Sequence, residues 1–228
     1  MFKYFLNKKI YLHFVIFIII IGCGEMSNTE SNNISYSSTQ GVGKLTESER
    51  EVLIELNSFP IKPENNELES NRSNQLDIYA QALLDAINKE RASVHNCGDL
   101  GTFGPVHPLV WNANLHASAL EHAMDLAISD TFSHEGSGTQ SDITGDGRPS
   151  KFYERIERNG YTHYYSVGEN IAGGQRSLDE VMRAWMESPG HCENIMKSTY
   201  TEVGVSIVKN DNSTYQIYWA QNFGSKRR

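Results

Sequence analysis

Apolar and polar positions follow three different rhythms along this chain. Residues 10–21 are mostly apolar, residues from about 24 to 74 are polar, and beyond 75 apolar positions recur with helical or strand periods. Leu76, Ala80, Leu83, Leu84 and Ile87 predict a helix over 75–93. Leu115, Ala119, His122, Ala123 and Leu126 predict a second over 112–129, with His122 on its buried side. There a hydrogen-bonded core histidine is the ordinary outcome and a ligand the alternative. Pro149 suits the first turn of a third helix that carries Phe152 and Ile156 and stops at Asn159-Gly160. Ser177 and Glu180 form a capping box for a fourth, with Leu178, Val181, Met182 and Trp185 inward and Pro189-Gly190 as its end. Val203, Val205 and Ile207 alternate over 202–209, and 215–223 returns after Asn210-Asp211-Asn212, predicting a hairpin. Strands need helices over their apolar faces, so the pattern predicts a layered α/β domain.

The N-terminal rhythm is an address. Lys3, Lys8 and Lys9 precede the apolar run of 12 residues, shorter than the ~20 that span a bilayer as a helix. This is the form of a secretory signal. It ends in Ile20-Ile21-Gly22-Cys23, which resembles a bacterial lipobox. The resemblance implies cleavage after residue 22 and lipidation of Cys23; a plain signal peptide or an uncleaved anchor is the alternative. Residues 23–74 then read as a polar tether, because Ser, Asn, Thr and Glu bury too little apolar surface to offset chain entropy. One short helix over 47–56, capped by Thr46 and Glu49, interrupts it. The folded domain is expected over 75–228.

Charge and cysteine narrow the partners. Twenty basic residues face 28 acidic ones, for a net charge of −8. Phosphate binding needs clustered Lys and Arg, so nucleic acid is excluded as a partner. With Cys23 lipidated, Cys97 and Cys192 remain, and an exported chain matures where disulfides form. A bridge between them would close a loop of roughly 95 residues; two free buried thiols are the alternative. Asp142-Ile143-Thr144-Gly145-Asp146-Gly147 imitates the start of an EF-hand calcium loop, but its twelfth position is Tyr153 where glutamate is required, so calcium of that kind is rejected.

Several segments now occur together and in order. They are Leu84-Asp85-Ala86-Ile87-Asn88-Lys89-Glu90-Arg91, Phe132-Ser133-His134, Arg155-Ile156 with Gly160-Tyr161, Gly168-Glu169-Asn170-Ile171-Ala172, Ala184-Trp185 with Ser188-Pro189-Gly190-His191, Asn194-Ile195 and Val203-Gly204-Val205. The combination resembles the CAP superfamily of cysteine-rich secretory proteins, antigen 5 and pathogenesis-related-1 proteins, in its bacterial secreted branch. The resemblance implies a three-layer α-β-α sandwich with a central cleft lined by two His and two Glu. His134, Glu169 and His191 match three of these. Eukaryotic members place the second Glu three residues after the helix Trp, which here is Ser188. Glu187 is one residue early, about 100° round a helix, and Glu135 and Glu193 are alternative carboxylates.

Two neutral imidazoles and a carboxylate make a reasonable site for zinc or another divalent cation. No complete catalytic set stands beside them. The expected function is therefore a lipid-anchored, extracytoplasmic binding module of the cell envelope, at an outer membrane or cell surface. Its partners would be the membrane, through the N-terminal lipid, and a small-molecule, lipid, envelope or host-protein ligand. A surface adhesin acting through the loop 136–147 is the first alternative and a metal-dependent hydrolase the second, so enzyme status stays open with the balance against it.

Overall fold

A computed structural model describes residues 66–227, with side chains from Tyr79 onward. The expected signal, the lipidated Cys23, most of the tether and the 47–56 helix lie outside the described residues. No helix among the described residues is long and apolar enough to cross a membrane.

The first helix, α1, runs over Asn66–Arg91. It begins inside the stretch read as tether, a correction with a simple cause. Once a helix is nucleated, each added residue gains a backbone hydrogen bond whether or not its side chain is apolar. Short strands β1 (His95–Asn96) and β2 (Thr102–Phe103) form a small antiparallel ribbon around the 3-10 turn Gly98–Leu100. Then come β3 (Val110–Trp111), α2 (Ala113–Ser129), α3 (Phe152–Arg158), β4 (Tyr164–Gly173), α4 (Leu178–Glu187), α5 (Pro189–Met196), β5 (Glu202–Lys209) and β6 (Ile217–Lys226).

The main sheet has the order β3-β5-β6-β4. β3 runs parallel to β5, while β6 is antiparallel to both its neighbours. Alternation along the strands divides the core in two. Val203, Val205, Ile207, Ile217, Trp219 and Phe223 face α1, α4 and α5, where Ile87, Val181, Trp185 and Ile195 meet them. Ile171, Val208, Tyr218 and Ala220 face α2, under Ala119, Ala123 and Leu126. α3 packs Ile156 beside Leu115 and Tyr161 in that same layer. The α/β class is as expected, in the three-layer form that the resemblance implied.

α2 lies directly on β5 because Gly204 has no side chain. A Cβ there would stand 2.0 Å from His116 N and 2.4 Å from Leu115 C. Asn112 caps the helix, accepting from Asn114 N at 2.9 Å and Leu115 N at 3.2 Å. On the other face, buried Arg91 gathers four carbonyls: His107 at 2.9 Å, Ile195 at 2.5 Å, Lys197 at 3.0 Å and Tyr200 at 3.4 Å. Burial lowers this guanidinium to about 10, so it stays charged at neutral pH and complements the C-terminal end of α5.

Two expectations are corrected here. Pro189-Gly190 does not simply end the fourth helix. Ser188, at ψ 119°, terminates α4, and Pro189 opens α5 at the position where its missing N–H is no loss. His191 therefore sits in the first turn of a new helix rather than beyond the end of the old one. The ten-residue strand β4 was also not foreseen; its middle is Gly168-Glu169-Asn170, which does not read as a strand.

β4 is the terminal strand of its sheet, and its outward carbonyls are capped by side chains. Tyr200 Oη donates to Val167 O at 3.2 Å, Asn194 Nδ2 to Glu169 O at 3.2 Å, and Trp185 Nε1 to Ile171 O at 3.2 Å. The edge that could template another strand is thereby closed.

Candidate functional site

The pleat of β4 sends Glu169 toward α2 and α3 and Asn170 toward α5. Glu169 is 6 % exposed. Arg155 of α3, more deeply buried still, directs Nη2 to both its oxygens at 3.2 and 3.0 Å, and the same nitrogen donates to His134 O at 2.9 Å. His134 Nδ1 stands 3.0 Å from Glu169 Oε1, while half of its side chain faces solvent. Asn222 sits opposite Glu169 in the register; the amide orientation that satisfies all its neighbours donates to Oε2 at 3.2 Å. Burial works to raise the Glu169 pKa, but His122, His134 and Arg155 outweigh it and hold the carboxyl below its ordinary value.

His122 is fully buried. Its Nε2 donates to Ser133 O at 2.9 Å and lies 3.7 Å from Glu169 Oε1. Burial lowers its pKa, so it is neutral at pH 7. It is thus a hydrogen-bonded core histidine, and it holds the backbone one residue before His134.

His191 reaches the site from the opposite layer. Its ring centroid is 6.4 Å from that of His134, with the planes inclined at 53°. Burial, then the neighbouring His134, lowers its pKa. Its carbonyl accepts from Asn170 Nδ2 at 3.2 Å, and Asn170 also bonds Gln221 Oε1 at 2.9 Å and Asn194 Nδ2 at 3.0 Å. The adjacent Cys192 is joined to Cys97, with Cα atoms 5.5 Å apart. That disulfide ties the histidine-bearing turn to the Gly98–Leu100 region.

The structure thus brings His134, Glu169 and His191 together beside the middle of the edge strand β4 and leaves Glu187 elsewhere. Glu187 is exposed on α4 and lines two surface depressions whose walls include none of the other three. Of the alternative carboxylates, Glu135 pairs with Lys151, and Glu193 is half-buried on α5. Ser133 Oγ accepts from Glu135 N at 3.0 Å in a local turn.

The loop 136–147 is fastened to α2 by acids. Asp125 accepts from Ser137 N at 2.8 Å, Ser137 Oγ at 2.6 Å and Ser141 Oγ at 2.6 Å, and Glu121 accepts from Thr144 Oγ1. Asp142, the first residue of the calcium-like stretch, turns inward to Gly138 N, Gly145 N and Ser150 N at 2.9–3.1 Å. Burial would raise its pKa, but these bonds outweigh it and lower the pKa.

Among the described residues no group of three or more His, Cys, Asp or Glu side chains is arranged to hold a metal ion. A three-ligand zinc site is not met, because Arg155 already occupies both oxygens of Glu169. The two imidazoles remain as donors, with Glu169 behind one of them. Sequence reasoning missed Arg155 as the partner of Glu169. A carboxylate held inside the fold requires a counter-charge, and Arg155 beside inward-facing Ile156 was the available one.

A three-layer α-β-α domain with opposed histidines above a buried Glu–Arg pair defines the class. The chain matches the cysteine-rich secretory protein family, CAP, over residues 84–223 and belongs to it. It is 32 % identical over 119 residues to the Bacillus subtilis protein YkwD, a match covering 52 % of this chain and 40 % of YkwD. It is 25 % identical over 115 residues to the Bacillus subtilis membrane protein YlbC, covering 50 % and 28 %. The chain therefore spans well under two thirds of either relative. The crystal structure of an extracellular protein containing a SCP domain from Bacillus anthracis superposes with a TM-score of 0.51 at 22 % identity, covering 74 % of this chain and 45 % of that one. That likeness concerns the fold alone.

Proposed function

We propose that the chain is a lipid-anchored, extracytoplasmic CAP-domain binding module, whose cleft receives a divalent cation or a small ligand between His134 and His191. One observation carries this reading. His134 Nδ1 faces the ionised Glu169 at 3.0 Å with the His191 ring opposite. Donating through Nδ1 leaves the neutral ring's lone pair on Nε2, and a carboxylate behind a histidine is the usual means of orienting such a donor. His134 and His191 would hold the cation, zinc first among candidates, and Glu169 would orient rather than ligate. A bound cation would supply positive charge for a polar or anionic guest.

The same geometry disfavours the alternatives. Glu169 is committed to Arg155 and is no free base for a hydrolase, and Ser133 Oγ is taken up in its own turn. The loop that an adhesin would use is anchored by Glu121, Asp125 and Asp142. The N-terminal pattern and Cys23 support the envelope address and the membrane as a partner.

Calorimetry of the full-length chain with zinc tests the metal reading. Saturable heat is expected from wild type and none from His134→Ala/His191→Ala; identical heats would remove it. For the anchor, Cys23→Ser is expected to move the protein from the detergent to the aqueous phase on partition. Unchanged partition would refute lipidation.

A further inference from the structure

Glu187 fails to join the histidines, and its actual surroundings have a chemistry of their own. Arg183 stands one turn before it on the exposed face of α4. Opposite charges four apart on a helix ordinarily pair. These two line a common depression instead, with no ion pair between them among the described residues. The depression has a volume of about 430 Å³ and is completed by Gly173, Gly174, Gln175 and Glu180, within the range of small-molecule sites. Glu180 is engaged with Arg176 N at 2.7 Å. Gln175 Oε1 is buried with no hydrogen-bond partner, while its backbone oxygen accepts from Trp219 Nε1 at 2.9 Å. An orphaned buried acceptor asks for a donor.

Two aromatic rings flank the same two glycines. Phe132 and Tyr215 pack with centroids 5.0 Å apart, and each remains more than 40 % exposed. A Cβ on Gly173 would stand 2.9 Å from Tyr215 Cγ and 3.2 Å from Phe132 Cε2. Gly174, at φ 92°, lies under Tyr215 as well, its own Cβ position 3.7 Å from Tyr215 Cδ1. Without side chains, the end of β4 forms a low ledge with the rings on one side and the depression on the other.

We infer that this ledge is a second binding site, for a glycan containing N-acetylated hexosamine. A pyranose ring offers a C–H face to stack on Tyr215 and Phe132, as apolar faces do on aromatic ones. Its hydroxyls are donors and acceptors at once, matching a wall that sets the donor Arg183 beside the acceptors Glu180 and Glu187. Its acetamide N–H is the donor that Gln175 Oε1 lacks. An extended peptide is the rival occupant, and β4 argues against it. Strand addition needs free edge carbonyls, and those of Val167, Glu169 and Ile171 are capped. Beyond that capped row β4 ends at Gly173, which leaves too short an edge for a strand to add to.

The test is calorimetry of the full-length chain in detergent micelles with tri-N-acetylchitotriose, cellotriose and hexaproline. Chitotriose is expected to bind saturably, and cellotriose about tenfold more weakly, for lack of the amide donor. Hexaproline is expected not to bind. Tyr215→Ala should weaken chitotriose about tenfold while Tyr215→Phe, which keeps the ring, retains affinity. Arg183→Met, an exposed change that leaves the core intact, should weaken it several-fold. No saturable heat with chitotriose overturns the proposal. So does equal binding of cellotriose, preference for hexaproline, or wild-type affinity in both Tyr215→Ala and Arg183→Met.

Discussion

Arg155 and Glu169 meet in a dry interior, Nη2 to Oε2 at 3.0 Å, with each side chain only 1 % exposed. A pair so placed is costly to assemble and costlier to break. Arg155→Met leaves a buried carboxylate without its cation and is expected to lose about 3–5 kcal/mol. Arg155→Met/Glu169→Met should recover most of the loss. Urea unfolding of both variants measures it; a single variant as stable as wild type would show that Glu169 does not depend on Arg155.

The disulfide joins residues 95 apart. On the chain-entropy model a loop of that length contributes about 3–5 kcal/mol. Reduction is therefore expected to lower the urea midpoint, and Cys97→Ser/Cys192→Ser should reproduce the reduced protein. Because Cys192 follows His191, the reduced form should also give smaller heats with zinc. Unaltered stability after verified reduction would contradict the loop-closure argument.

Acid should destabilise the domain in two stages. His116, His122 and His191 are all held below their ordinary value, chiefly by burial. Each binds fewer protons folded than unfolded, so its contribution is complete above about pH 6.5 and is lost as pH falls through the lowered value. Glu169 and Asp142 are also lowered, and their contribution is present above the unfolded carboxyl range near pH 4 and fades below it. Urea midpoints should decline from pH 7 toward 5 and again below about 4. A flat profile between 7 and 5 would rule out the histidine stage.

Gly204→Ala places a methyl against the backbone of His116 and Leu115. Neither neighbour can swing aside as a side-chain tip would, so α2 must lift from β5. A loss of about 3 kcal/mol is expected, read as a drop in thermal midpoint. Gly190→Ala, whose Cβ meets nothing within 4 Å, is the matched control, expected to be near neutral.

The fold was legible where side chains serve only packing. Helical spacing in α2 and α4 marked the residues that are buried, and the valines and Ile207 of β5 alternated cleanly. It failed where residues serve the site. Glu169 and Asn170 interrupt the apolar rhythm of β4 because one grips Arg155 and the other His191 O, so the strand did not read as a strand. Pro189 reads as a stop, because a proline after a helix looks alike whether the chain then loops or restarts. Tyr215 was counted into the second hairpin strand, yet it belongs to the turn fastened by Asp130 through Thr214 N and Tyr218 Oη. His134, Glu169 and His191 were found through resemblance. Arg155, Asn170 and Asn194 hold them in place, and polar side chains with interior duties look on paper like solvent-facing ones.

Glu169 is gripped twice. Its carboxylate belongs to one helical layer through Arg155 and His134, and its carbonyl accepts from Asn194 on the helix that bears His191. Both walls of the cleft are thus riveted to one residue, and they cannot part without tearing one of those grips. On the binding reading proposed for this site, the opening would have a fixed gauge: a guest would be selected by fit, and its uptake would need no closing step.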